Sequence, residues 1–77
     1  MEKIIGEIER NETEKVIVQI KEFKGKQYVD FRIHYLADEE EWKPTRKGFT
    51  IRPDQWEIFA GFVNETETAL KDEKLID

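Results

Sequence analysis

The run of residues 27–35 alternates in side-chain character, and no other segment restricts the fold so tightly. Val29, Phe31, Ile33 and Tyr35 fall on one face of an extended chain, with Tyr28, Asp30, Arg32 and His34 on the other. Upstream, Val16-Ile17-Val18-Gln19-Ile20 is dense in β-branched side chains, as a half-buried strand is. Between the two runs Lys24-Gly25 offers a two-residue turn, with Gly25 free to take a positive φ. Together these predict an antiparallel hairpin.

The remaining elements follow from weaker signals. Ile4-Ile5-Gly6-Glu7-Ile8 predicts a first strand, with the polar stretch 10–14 as its turn. Asp38-Glu39-Glu40-Glu41 reads as a solvated loop. Residues 43–48 read as a second loop broken by Pro44 and Gly48, and Phe49-Thr50-Ile51 as a short closing strand. Pro53 suits the first turn of a helix, where its missing N–H would have had no partner. A helix from there to about Leu70 places Trp56, Phe59, Ala60, Val63 and Leu70 along one stripe, while Ile58 and Phe62 fall outside it. Gly61 costs about 1 kcal/mol relative to alanine in a helix, which predicts close packing at that point. The expected fold is α+β: four strands, then one C-terminal helix, in a single domain spanning residues 1–77.

Size constrains the state of this domain. At 77 residues roughly 40% of the unfolded chain's surface stays exposed after folding, so a lone monomer is marginal. The chain has no cysteine for a disulfide and one histidine, so a zinc site is not expected and no cofactor is implied. Oligomerisation is the remaining common support. Ile58 and Phe62 form a second apolar helical face, which points to a partner helix from a second copy. A homodimer interface is therefore expected at Trp56, Ile58, Phe59 and Phe62. The N-terminal segment is too charged for a secretory signal, and no run approaches the length of a membrane span, so an intracellular protein is expected. Asn11-Glu12-Thr13 and Asn64-Glu65-Thr66 match the glycosylation acceptor pattern by chance on that reading.

Charge is unevenly spread. The chain as a whole carries -5, yet residues 15–52 hold nine bases against six acids, four of which are the single run 38–41. The flanks are acidic: two bases against five acids in residues 1–14, and two against seven in residues 53–77. The basic middle contains two compact signatures, Phe23-Lys24-Gly25-Lys26 and Lys43-Pro44-Thr45-Arg46-Lys47-Gly48. Cations that neutralise phosphates, beside rings that stack on bases of any identity, are what unpaired nucleic acid requires. Arg46 can hold a phosphate through two parallel N–H bonds, while Lys24, Lys26, Lys43 and Lys47 act as mobile point charges. Phe23, beside the turn, stands where a ring can protrude.

The ordered set Phe23-Lys24-Gly25-Lys26, Asp30 with Arg32, the acidic loop, Lys43 to Gly48, and Pro53-Asp54-Gln55-Trp56 resembles the DNA-binding domain of the positive cofactor four family of transcriptional coactivators. The likeness covers about residues 15–60. It implies a curved four-stranded antiparallel sheet followed by one helix, dimerising through the helices, that binds single-stranded or melted DNA with little sequence preference. By that resemblance the DNA-contacting positions are Phe23, Lys24, Lys26, Arg32, Tyr35, Lys43, Arg46 and Lys47, with Lys21 a weaker candidate. The compact architecture resembles prokaryotic or phage members that act in replication or recombination, which implies a cytoplasmic or nucleoid site, or a nuclear one in a eukaryote. Transcription or replication proteins are the further partners it implies. Three departures stand out: Tyr35 where the family often has tryptophan, Thr45 for a glycine, and Ile33 with His34 for a more polar pair.

Competing readings follow from the same residues. Strict alternation sets Tyr35 on the core face opposite Arg32, so the two share a DNA face only if the strand ends or bulges between them. His34, on the face of Asp30 and Arg32, reads as a partly exposed polar residue, since there is no nucleophile, base and orienter set; catalysis is not expected. Trp56 reads as core or dimer interface. A protein-interaction module docking on polymerase or recombination factors is the alternative function, and an RNA-binding regulator a more distant one.

Overall fold

The computed structural model describes residues 1–77. Strands β1 (Lys3–Glu9), β2 (Glu14–Phe23), β3 (Lys26–Asp38) and β4 (Glu41–Ile51) precede a 3-10 turn at Pro53–Gln55 and helix α1 (Trp56–Asp72). The strands form one open antiparallel sheet in sequence order, so the expected α+β class and the ββββα order hold.

Each connection is made by local chemistry. Between β1 and β2, Asn11 Oδ1 accepts from the Thr13 N–H at 2.9 Å, the side-chain-closed turn that asparagine favours. Between β2 and β3, Lys24 and Gly25 both take positive φ, 52° and 78°. Two such residues make the hairpin turn whose twist matches the strands. The β2–β3 ladder then runs without a break from Phe23↔Lys26 to Glu14↔Tyr35. Residues 39–40 turn the chain into β4.

Two expectations are corrected here. Residues 43–48 are not a loop but the middle of β4, paired with β3 through Tyr35↔Lys43, His34↔Pro44 and Arg32↔Gly48. β4 is an edge strand, where a proline's missing N–H is tolerated. Gly48 is needed for close approach rather than for breaking the strand: a Cβ there would run into the Phe31 carbonyl and lie 2.8 Å from Arg32 Cα. Within the single chain Gly61 is not closely packed, since a Cβ would meet nothing within 4 Å.

The helix begins through Pro53, with the Arg52 N–H donating to Gln55 Oε1 at 3.3 Å and the Gln55 N–H to the Arg52 carbonyl at 2.9 Å. It ends two residues past Leu70. There Lys74, at φ 60°, turns left-handed while the Leu75 N–H reaches the Leu70 carbonyl at 2.8 Å and the Lys74 N–H reaches Lys71 at 3.0 Å. That pair of bonds satisfies the last helical carbonyls.

The sheet has two unlike faces. Toward the helix lie Val16, Val18 and Ile20 of β2, Val29, Phe31 and Ile33 of β3, and Phe49 and Ile51 of β4. Phe31 and Phe49 stack at 4.9 Å, and Phe59 of the helix closes on them at 5.2 and 6.1 Å, with Trp56 5.5 Å from Phe59. Beyond that cluster the helix leaves apolar surface open: Ile58 is 64% exposed and Phe62 60%. Only Ile17, Asp30 and His34 are buried, and all three lie on the other face. The chain exposes 6549 Å², whereas a compact monomer of 9.3 kDa exposes about 5000 Å². Its radius of gyration, 14.7 Å, likewise exceeds the about 11.5 Å of a compact domain this long. One chain alone has almost no core.

Candidate nucleic-acid interface

The face away from the helix is built in rows by strand register. Phe23 and Lys26 pair at the hairpin end, then Lys21 with Tyr28, Gln19 with Asp30, Ile17 with Arg32, and Lys15 with His34. On β4, Thr50 lies beside Asp30, Gly48 beside Arg32 and Pro44 beside His34. Phe23 is 63% exposed, and Lys24 Nζ stands 5.4 Å from its ring centre. Lys21, Phe23 and Lys26 therefore share one surface, with Lys24 at its tip.

Arg32 lies on that face but is already engaged. Its Nε donates to Asp30 Oδ1 at 3.1 Å, and its Nη2 lies 3.0 Å from the same oxygen. Nη1 donates to the Thr45 carbonyl at 3.1 Å. Asp30 is 3% exposed, so the pair is held away from water on one side. Arg32 acts here as a structural cation.

The third bond leads to the second signature. Between Arg32↔Gly48 and His34↔Pro44, β3 supplies Ile33 alone while β4 supplies Thr45, Arg46 and Lys47, forming a bulge. Thr45 clamps it: its Oγ1 donates to the Ile33 carbonyl at 2.7 Å and accepts from the Lys47 N–H at 3.1 Å. Arg46 and Lys47 project exposed from this bulge with no carboxylate in ion-pair range. Nothing in the composition of the Lys43–Lys47 signature announced the clamp; the one hint was threonine where the resembling family carries glycine.

Two candidates stand apart. Tyr35, 41% exposed, pairs with Glu14 in an unbroken β2–β3 ladder, so it points to the side opposite Arg32. Lys43, its partner on β4, shares that side and lies 3.3 Å from Glu41. The structure thus joins Lys21, Phe23, Lys24 and Lys26, and separates Tyr35 and Lys43 from them.

His34 differs from the partly exposed residue expected. It is 8% exposed, and its Nε2 has no hydrogen-bond partner. Burial holds its pKa below the usual value; Asp30 opposes that shift, and Lys21, Lys15 and Arg32 reinforce it. Beyond it, Lys15 Nζ sits 4.3 Å over the Trp42 ring and 2.7 Å from Glu7, an arrangement that the sequence did not reveal because its members come from three strands.

Comparison with known proteins agrees with this architecture. The family described as Transcriptional Coactivator p15 (PC4) matches residues 10–61. The chain is 41% identical over 54 residues to the RNA polymerase II transcriptional coactivator KELP of Arabidopsis thaliana. That match covers 70% of the chain but 32% of the plant protein, so the chain spans about a third of its relative's length. A PC4 homologue from Burkholderia pseudomallei has the same fold, with TM-score 0.72 and 24% identity over 86% of this chain and 98% of that one. The bacteriophage T5 homologue of PC4, implicated in recombination-dependent DNA replication, superposes with TM-score 0.69 and 24% identity over 96% of this chain and 82% of its own. With the ββββα order, the basic hairpin and the bulged β4 in hand, the chain belongs to the transcriptional coactivator p15 (PC4) family.

Proposed function

We propose that the chain binds single-stranded or melted DNA with little sequence preference, as a homodimer, in support of transcription or of replication and recombination. The observation that carries this reading is the unpaired set Lys21, Lys24 and Lys26 around the exposed Phe23 ring, with Arg46 and Lys47 held out on the bulge. Mobile cations neutralise phosphates, and the ring stacks on any base. No helix of the chain carries a cationic face suited to a duplex groove, since α1 holds Lys71 alone against Glu57, Glu65, Glu67 and Asp72. The relatives named as transcriptional coactivators, and the T5 homologue's replication role, support the setting.

The dimer rests on the uncovered surface. The excess of about 1500 Å² over a compact monomer matches what each partner of an obligate dimer buries. Its apolar part is the Ile58 and Phe62 side of α1 together with Val18, Ile20, Val29 and Trp56 on the sheet's helix side.

Titration of an oligothymidine strand at several salt concentrations tests the binding. Five cations on the strand's path predict a log–log salt slope of about 3 to 4. Phe23→Ala weakens binding by about 1–3 kcal/mol. The joint change of Lys43, Arg46 and Lys47 to Ala flattens the slope. No binding by the parent at low salt overturns the reading and favours a protein-docking module.

A further inference from the structure

A groove of about 660 Å³ opens where β2 and β4 end and β3 begins, beside the helix start. Its lining includes Phe23, Lys26, Tyr28, Arg52, Pro53 and Asp54. Register explains why these residues meet. Phe23 pairs with Lys26, Tyr28 with Lys21 two residues along, and Arg52 follows Ile51, the partner of Val29. Across the sheet this sets the Tyr28 ring between two cations, Lys21 and Arg52, one row in from the Phe23 ring. The volume falls in the range of sites that hold small ligands.

We propose that this groove is a nucleotide subsite in which one base of the bound strand lies against Phe23 and Tyr28, with its phosphate on Lys26 and Arg52. The proposal rests on the single-stranded DNA reading and extends it to two residues, Tyr28 and Arg52, that lie outside both basic signatures. Arg52 is poised for the role. Its Nε donates to Asp54 Oδ1 at 3.1 Å, which orients the guanidinium and leaves both terminal nitrogens free for phosphate oxygens. The Phe23 and Tyr28 rings supply flat faces for a base beside Lys26 and Arg52, the cations for its phosphate. The subsite extends the strand's path past the hairpin toward Pro53, at the end of the sheet opposite the β4 bulge. The bound strand then crosses the whole hairpin end of the sheet.

The experiment is the oligothymidine titration with Tyr28→Leu, Tyr28→Phe and Arg52→Gln, beside Phe23→Ala as the marker of the parent site. Arg52→Gln lowers the salt slope by about 0.7, the loss of one phosphate contact. Tyr28→Leu weakens binding about tenfold, and Tyr28→Phe binds like the parent, because the ring and not the hydroxyl makes the contact. Photocrosslinking of the unaltered protein to a strand carrying 5-iodouracil gives adducts at Tyr28 as well as Phe23, which keeps the test independent of any variant's folding. If Phe23→Ala weakens binding while Arg52→Gln leaves the slope unchanged and no adduct forms at Tyr28, the subsite is overturned and the binding reading stands. If the parent does not bind, both fall.

Discussion

At the scale of single residues, Asp30 and His34 do the least expected work. They are buried on the side of the sheet with fewer apolar residues, and each is shielded by neighbours contributed from adjacent strands. Asp30→Ala strands the Arg32 guanidinium in a half-buried position and releases its hold on Thr45. Loss of about 3 kcal/mol in chemical denaturation is expected, with weakened DNA binding as the bulge loosens. Loss within a few tenths of a kcal/mol would show the pair to be dispensable. His34 makes a pH prediction with a definite sign. Its folded pKa lies below the usual 6.5, so the unfolded chain takes up the proton first. The stability it contributes is whole above that value and is lost as pH falls through the lower, folded pKa. Thermal melts should show a drop as pH falls below 6.5 that is smaller in His34→Leu. An identical drop in both proteins would locate the acid sensitivity elsewhere.

At the scale of elements, two turns place lysine where backbone propensity favours other residues. Lys24 and Lys74 both occupy left-handed backbone that glycine or asparagine takes at lower cost. At Lys24 the charge stands at the tip of the proposed binding face, a reason for a lysine to sit in an unfavourable conformation. Lys74 ends the helix and has no such duty, so Lys74→Gly should raise stability by about 1 kcal/mol without changing DNA affinity, as read by parallel melts and titrations. A destabilised Lys74→Gly would mean that the helix end is held by contacts of the lysine side chain. In β4 the residue types of residues 43–48 obey loop chemistry: a proline, a glycine, a threonine and three cations. The strand forms nonetheless, because β3 offers an unpaired edge of carbonyls and N–H groups whose satisfaction outweighs local propensity.

At the scale of the whole molecule, the thin sheet and its lightly attached helix leave apolar surface open, with extents of 41 × 34 × 18 Å. Burying Ile58 and Phe62 against a second copy offers about 1.5–3 kcal/mol per side chain. The melting temperature should therefore rise with protein concentration, with a dimer by sedimentation. Ile58→Asp with Phe62→Asp should abolish that dependence and lower the melting temperature steeply. A parent that sediments as a monomer, with a melting temperature independent of concentration, would remove the dimer from the account. In the proposed dimer two copies of the Phe23 hairpin would be offered to one strand or to two melted strands.

The order of strands, the hairpin and the helix were legible in the amino-acid chain. Alternation, a Lys-Gly turn and Pro53 are short-range signals, each complete within a few residues. Strict alternation was also sound for Tyr35, which does face away from Arg32. The basic signatures were legible as charge, but their geometry was not. The engagement of Arg32, the Thr45 clamp, the burial of His34 and the groove of Tyr28 with Arg52 depend on which residues of neighbouring strands stand opposite one another. That opposition is set by ladder register across the sheet, a long-range property that no local window of sequence contains.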